Sequence, residues 1–263
     1  MDRQDRRSIA LLVSYDGTDF AGSQRQVQAR TVQGELETAI CRVTGEDSDA
    51  IRLRSAGRTD AGVHAMGQVV TFSTLRDWPA AQWVKALGAV LPADVSVLRA
   101  RAVAPEFDPR RQALSRSYRY QVLVQGARCP MRRRTFHRVD ALPAEGSMVH
   151  AWKGLVGTHD FASFCSTGSS ERSTIVTVTA ADVERRGDER LLSITAISFL
   201  YHMVRRLVGA ALAVGRGVLS PADFRRFLEE PGGSHPVAPT APAHGLILTD
   251  VTYPAPWSWA TSG

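Results

Sequence analysis

Apolar residues recur along this chain with two different periods, and the alternation between them predicts its elements. Short apolar or alternating runs over Ile9–Tyr15, Ile51–Ala56, Gln68–Phe72 and Val95–Ala102 have the pattern of strands. Further along, Ser117–Val124, Thr174–Glu184, Leu191–Ala196 and Leu246–Tyr253 read the same way. Val32, Leu36, Ile40 and Val43 instead return at helical spacing behind Thr31, whose hydroxyl suits an N-cap, so a helix is expected over Thr31–Val43. Pro79–Leu87, with proline in its first turn and Gly88 as a stop, is a second helix. Ala144–Leu155, Leu200–Val214 and Pro221–Leu228 are three more, the last announced by Ser220-Pro221 and Asp223. Arg185-Arg186-Gly187-Asp188 separates two alternating runs and predicts a hairpin.

The first half therefore reads β-α-β-β-α-β, and the second half repeats that order with one helix added. This predicts an α+β protein of two similar units of the RRM or ferredoxin-like kind, residues 1–105 and 106–263, each an antiparallel or mixed sheet covered by helices. Sheets meeting edge to edge would form a platform with a central basic cleft across it. The Pro- and Gly-rich run from Glu230 to Pro242 reads as a crossing segment, and the tail from Pro254 as loosely ordered.

One connection does not fit its neighbours. Between the strands at Ile51 and Gln68 lies Ser55-Ala56-Gly57-Arg58-Thr59-Asp60-Ala61-Gly62-Val63-His64-Ala65. Hairpin connections usually take roughly two to five residues, and a longer loop on a rigid scaffold is where chemistry is often carried. Its glycines allow a sharp turn and a close approach of backbone to ligand, and between them stands a single acid, Asp60, two residues from the guanidinium of Arg58. Glycine and aspartate are also ordinary turn residues, and an exposed Arg-Asp pair contributes little.

Composition narrows the function classes. No apolar run approaches the roughly 20 residues that span a bilayer, and the charged start from Met1 to Arg7 has no signal-peptide core behind it, which predicts a cytoplasmic protein. Cys41, Cys129 and Cys165 are far apart with no C-x-x-C pair, and the seven histidines are scattered, so reduced, buried thiols and no metal are expected. His202, in the predicted helix, reads as a partly buried histidine with a satisfied partner. A net charge of +6 and a pI near 9.7 favour a polyanionic partner. Lys85 and Lys153 are the only lysines, and arginines gather at Arg110-Arg111, Arg116, Arg119, Arg132-Arg133-Arg134 and Arg205-Arg206. The last pair interrupts an apolar helical stretch, which is costly unless it faces a cleft or a partner.

The Gly57–Ala65 run resembles the catalytic motif of the TruA family of tRNA pseudouridine synthases, in which the aspartate is the essential residue. The likeness continues in order through Tyr15-Asp16-Gly17-Thr18, Gln24-Arg25-Gln26, Phe107-Asp108-Pro109-Arg110 and Arg116-Ser117-Tyr118-Arg119-Tyr120. It goes on through Gly157–Phe164, Phe199–Arg205 and Ala243–Leu248. The resemblance implies isomerisation of uridine to pseudouridine in the anticodon stem-loop of tRNA by a homodimer, a reaction that demands neither cofactor nor metal. It implies Asp60 as the catalytic carboxylate, attacking the sugar C1′ or the uracil ring or removing a sugar proton. Arg205 matches the arginine paired with that aspartate, a cation being needed to keep it ionised. Tyr118 matches the active-site tyrosine, and Leu246 the apolar residue closing the pocket. Arg58 is expected to contact the RNA and hold the target nucleotide out of the stack, at a cost of a few kcal/mol. Arg110, Arg111 and Arg116, with Gln24 and Arg25 on the first long loop, are the expected phosphate contacts.

Two departures stand out: Gly22-Ser23-Gln24 replaces the Gly-Trp-Gln usual in the family, and Ala196-Ile197-Ser198 replaces small and amide residues before Phe199. A non-catalytic pair of RRM-like sheets, a synthase acting on another RNA and a DNA-binding protein are the competing readings. Neither Gln68–Phe72 nor Leu191–Ala196 carries the aromatic-rich strand that an RRM needs.

Overall fold

The computed structural model describes residues 6–166, 173–231 and 239–259; positions 232–238 of the predicted crossing segment and 260–263 of the tail lie outside them. The chain forms two compact units, Met1–Leu114 with Leu248–Gly263, and Ser115–Ile247. The reading by pattern drew one boundary after residue 105; here the end of the chain returns to the first unit.

In the first unit β1 (Arg7–Tyr15) runs antiparallel between β3 (His64–Thr74) and β4 (Val95–Val103). β2 (Arg54–Ser55) pairs with β3, giving the order β4-β1-β3-β2 of a split β-α-β unit. Alternation on β1 puts Ile9, Leu11 and Val13 into a core that α1 (Val32–Thr44) and α2 (Ala80–Gly88) close with Leu36, Ile40, Trp83 and Leu87. Trp83 packs edge-on against Phe72, with ring centroids 5.3 Å apart. Thr31 caps α1 as expected, its hydroxyl accepting from the Gly34 amide at 3.2 Å, and Gly45 ends the helix at φ 73°.

The predicted strand over Ile51–Ala56 shrinks to β2. Ile51 and Leu53 are buried, but the Leu53 amide donates to the Glu37 carboxylate at 3.1 Å, so a helix side chain takes the place of a strand neighbour. Residues 254–259 of the tail are anchored where loose order was expected. The Trp257 ring lies 5.2 Å from that of Phe107, Arg101 stacks over Trp259 at 4.3 Å, and Arg101 and Arg99 donate to the carbonyls of Ser258 and Trp259 at 3.0 and 2.7 Å.

In the second unit β5 (Ser115–Val124) pairs antiparallel with β9 (Glu189–Ala196), β9 with β8 (Ile175–Arg186), and β8 with β7 (Gly157–Asp160) at the edge. The β8–β9 hairpin turns at Gly187, φ 60°, where the sequence predicted it. β6 (His137–Val139) lies parallel to β5, which makes the sheet mixed. α3 (Glu145–Lys153), α4 (Met203–Gly215) and α5 (Pro221–Glu229) complete the unit. α4 is buried along most of its length, and Phe224 and Phe227 of α5 close on Phe164 with ring centroids 6.0 Å apart. β6 and β7 were not predicted, because short polar strands carry no alternation to read. Helix α4 starts at Met203 and not at Leu200, because His202 stands before it with φ 61°. All three cysteines are free and half-buried, less enclosed than expected.

Candidate active site

Asp60 lies half-buried on the loop between β2 and β3. The loop turns at Gly62, φ 77°, and the Val63 amide donates back to the Asp60 carbonyl at 3.1 Å. Thr59, one residue earlier, is buried and bonded at each polar group. Its amide donates to Ser23 Oγ at 2.8 Å, its carbonyl accepts from the Ser23 amide at 3.0 Å, and its hydroxyl meets the Tyr15 hydroxyl at 2.8 Å. Burial pushes the Tyr15 phenol up to about 12, so it stays neutral and keeps this contact at neutral pH.

Other ties hold the loop at both ends. Gln68 Nε2 donates to the Gly57 carbonyl at 2.9 Å, and the Ala56 amide to that of Val69 at 2.9 Å. His64 is buried with Nδ1 3.0 Å from the Gly17 amide and 3.1 Å from an Asp16 carboxylate oxygen. Arg58, between braced residues, is exposed. The loop thus presents a guanidinium and a carboxylate from a backbone with little freedom to move.

In the second unit, Tyr120 and the segment from Pro239 to Gly245 connect Arg205 with Leu246. Tyr118 and Tyr120 are two residues apart on β5 and so share a face. The Tyr118 ring is buried edge-on to Phe199 at 5.0 Å. Arg205, on the first turn of α4, donates from Nε to the Ala241 carbonyl at 2.9 Å, and the Ala241 amide donates to the Arg205 carbonyl at 3.1 Å. One turn along, a Cβ on Gly209 would lie 2.0 Å from the Pro239 oxygen, so the segment rests directly on the helix backbone. The Tyr120 hydroxyl donates to the Pro242 carbonyl at 2.8 Å, and its ring fills the space that a side chain at Gly245 would need. Leu246 follows, buried at the start of β10 (Leu246–Thr252).

The electrostatics here are dominated by burial. Desolvation raises the Tyr120 phenol well above its ordinary range against the pull of the Arg205 charge. His137, with its ring centroid 6.3 Å from that of Tyr120, is lowered to about 4 by burial and by the charges of His244, Arg216 and Arg138. Arg206, the other arginine in this apolar stretch, donates to the Ser163 carbonyl at 3.0 Å. His202 Nδ1 lies 3.0 Å from Ser166 Oγ, and its ring stacks on Tyr201 at 3.8 Å.

The expected phosphate contacts differ in setting. Arg110 and Arg111 are exposed on a turn whose amides both donate to Asp108 Oδ1, at 2.9 and 3.1 Å. Phe107 anchors that turn in the core, and Tyr253 donates to the Pro109 carbonyl at 2.7 Å. Arg54, next to the Asp60 loop, reaches Asp108 at 3.5 Å. Gln24 is exposed, while Arg25 gives one nitrogen to the buried Glu37 at 3.0 Å. Half-buried Arg116 donates to the Ile197 carbonyl at 2.8 Å. Among the described residues no group of three or more His, Cys, Asp or Glu side chains is arranged to hold a metal, and no helix is long and apolar enough to cross a membrane.

Sequence reading missed Tyr15, Ser23, Gln68 and Tyr120 as supports. Gln68 left a signal, since a buried amide in an apolar strand needs partners. The others left none, because their partners lie far off in sequence.

Comparison with known proteins agrees with this picture. The model of a family described as tRNA pseudouridine synthase matches residues 11–110 and 151–254. A protein of Halalkalibacterium halodurans named tRNA pseudouridine synthase A is 41% identical over 242 residues, covering 92% of this chain and 90% of its own. One of the same name from Anoxybacillus flavithermus is 40% identical over 249 residues, covering 94% and 99%, and one from Methylobacterium nodulans 43% over 245, covering 93% and 95%. Both the braced Asp60 loop and the elements carrying Arg205 and Leu246 fall inside the matched stretches, and the chain belongs to the tRNA pseudouridine synthase family.

Proposed function

We propose that this protein converts uridine to pseudouridine in the anticodon stem-loop of tRNA. The bond from sugar C1′ to uracil N1 breaks, the uracil turns without leaving, and C1′ bonds to C5. The C5 proton is lost and N1 gains one, so the reaction is an isomerisation with no redox change.

Asp60 is the reacting carboxylate in this reading. The observation that carries it is the complete bracing of Thr59, which fixes the backbone that presents Asp60 before any substrate arrives. Arg205 serves as its counter-ion, and the Ala241 carbonyl on Nε supports that role by orienting the guanidinium. Tyr118 offers a ring face and hydroxyl to the uracil, Leu246 an apolar wall, and Arg58 a contact that replaces lost stacking. Arg110 and Arg111 hold phosphate, and their Asp108 turn supports this by presenting both side chains outward. Gln24, Arg25 and Arg116 add further RNA contacts. Action as a homodimer in the cytoplasm belongs to the same proposal and rests on family membership.

The test uses unmodified tRNA carrying tritium at uracil C5. Wild-type protein is expected to release tritium from this RNA, and not from a transcript with cytidine at the uridines of the anticodon stem-loop. Release from ribosomal RNA in place of tRNA, or binding without release, would contradict the reading.

A further inference from the structure

Where the family resemblance leads one to expect a tryptophan, this chain carries Ser23, and its surroundings give that serine a specific job. Ser23 is buried beside Thr59 and exchanges hydrogen bonds with it. The Thr59 amide donates to Ser23 Oγ at 2.8 Å, the Ser23 amide donates to the Thr59 carbonyl at 3.0 Å, and Ser23 Oγ lies 3.4 Å from the same carbonyl. On its other side, the Ser23 carbonyl accepts from the Gln33 amide in the first turn of α1 at 3.0 Å. Gly22 makes the approach possible. Its φ is +106°, and a Cβ there would lie 3.1 Å from the Thr59 oxygen.

The consequence follows from peptide planarity. The Thr59 carbonyl and the Asp60 amide belong to one rigid unit with the Asp60 Cα at its edge. Holding the Thr59 amide and carbonyl together fixes the planes on both sides of Thr59, and the bond from the Val63 amide to the Asp60 carbonyl fixes the next one. Little freedom is then left in the direction along which the Asp60 side chain departs. We infer that Ser23 is a positioning residue that sets the attack direction of Asp60 by clamping Thr59 to the N-terminus of α1. The inference rests on the assignment of Asp60 as the reacting carboxylate. A tryptophan could not supply this contact, because an indole has a donor and no acceptor for the Thr59 amide.

The experiment compares single-turnover tritium release and tRNA affinity for wild type, Ser23→Ala, Ser23→Thr, Tyr15→Phe and Asp60→Asn, with a thermal melt of each. Ser23→Ala should slow release between roughly 10- and 100-fold, the scale of a small misplacement of a reacting group, with tRNA affinity unchanged. Ser23→Thr restores the hydroxyl and should restore the rate. Tyr15→Phe keeps the ring and removes the hydroxyl that meets Thr59 and Gln68, leaving the Ser23 clamp in place, so it should show the same signature more weakly. Ser23→Ala releasing tritium at the wild-type rate beside an inactive Asp60→Asn overturns the role of Ser23 alone, as does a slowing that appears only as weaker tRNA binding or that Ser23→Thr fails to rescue. Wild-type release by Asp60→Asn overturns the assignment of Asp60, and the positioning role with it.

Discussion

A methyl group added at Gly17 would sit 2.0 Å from the carbonyl oxygen of Val63, and that oxygen belongs to backbone that cannot swing aside. Gly17→Ala should therefore displace the loop carrying Asp60, destabilising the protein by about 1–3 kcal/mol in urea unfolding and slowing tritium release. His137 gives a prediction about pH. Its folded value of about 4 lies below its ordinary 6.5, so the unfolded chain binds more protons in that window. Its contribution to stability is whole above about pH 6.5 and is lost as pH falls toward 4. Replacing His137 with asparagine should flatten the fall of melting temperature between those values relative to wild type; equal slopes would remove the buried-neutral reading. Single residues were unevenly legible beforehand. The loop around Asp60 drew notice through its glycines and Arg58, features that an ordinary turn shares, whereas Ser23 meets Thr59 across 36 positions of sequence, a pairing that only the folded chain creates.

At the scale of elements, the helices were the most legible because their ends carry their own chemistry. Thr31 before α1 and Ser220-Pro221 before α5 cap as read, the Asp223 amide donating to Ser220 Oγ at 3.0 Å. Strands without alternation were not legible, as β6 and β7 show, and Ile51–Ala56 misled because its apolar positions are buried by a loop path and not by a ladder. Residues 254–259 differ from the expectation for a related reason: position near a terminus implies loose order, yet Trp257 and Trp259 find Phe107 and Arg101. Trp257→Ala should cost about 1–3 kcal/mol by urea unfolding of the purified protein. A change near zero would return the segment to the loose order expected of a terminus. The strap from Pro239 to Gly245 makes a similar point, since Gly209 and Gly245 are needed for close approach and neither lies in a recognisable turn.

Across the whole molecule, the excess positive charge takes on meaning through where it is displayed. Arg110 and Arg111 project from one Asp108 turn, and each should contribute about one unit to the slope of log affinity against log salt. Arg110→Ala and Arg111→Ala should flatten that slope for tRNA while leaving single-turnover chemistry at saturating tRNA near wild type; an unchanged slope would place these arginines away from phosphate. The β-α-β-β-α-β order of the first half was visible in hydrophobic period alone, but β6 and β7, which break its repetition in the second half, and the passage of the chain from Leu248 back into the first unit were not, because period says nothing of short polar strands or of which neighbour a strand joins. Release of tritium from uracil C5 of unmodified tRNA by Asp60→Asn tests the account at its centre. Asparagine keeps the size and the backbone setting of the loop and removes only the carboxylate. The account predicts tRNA binding at wild-type affinity with release abolished, and release near the wild-type rate would contradict it.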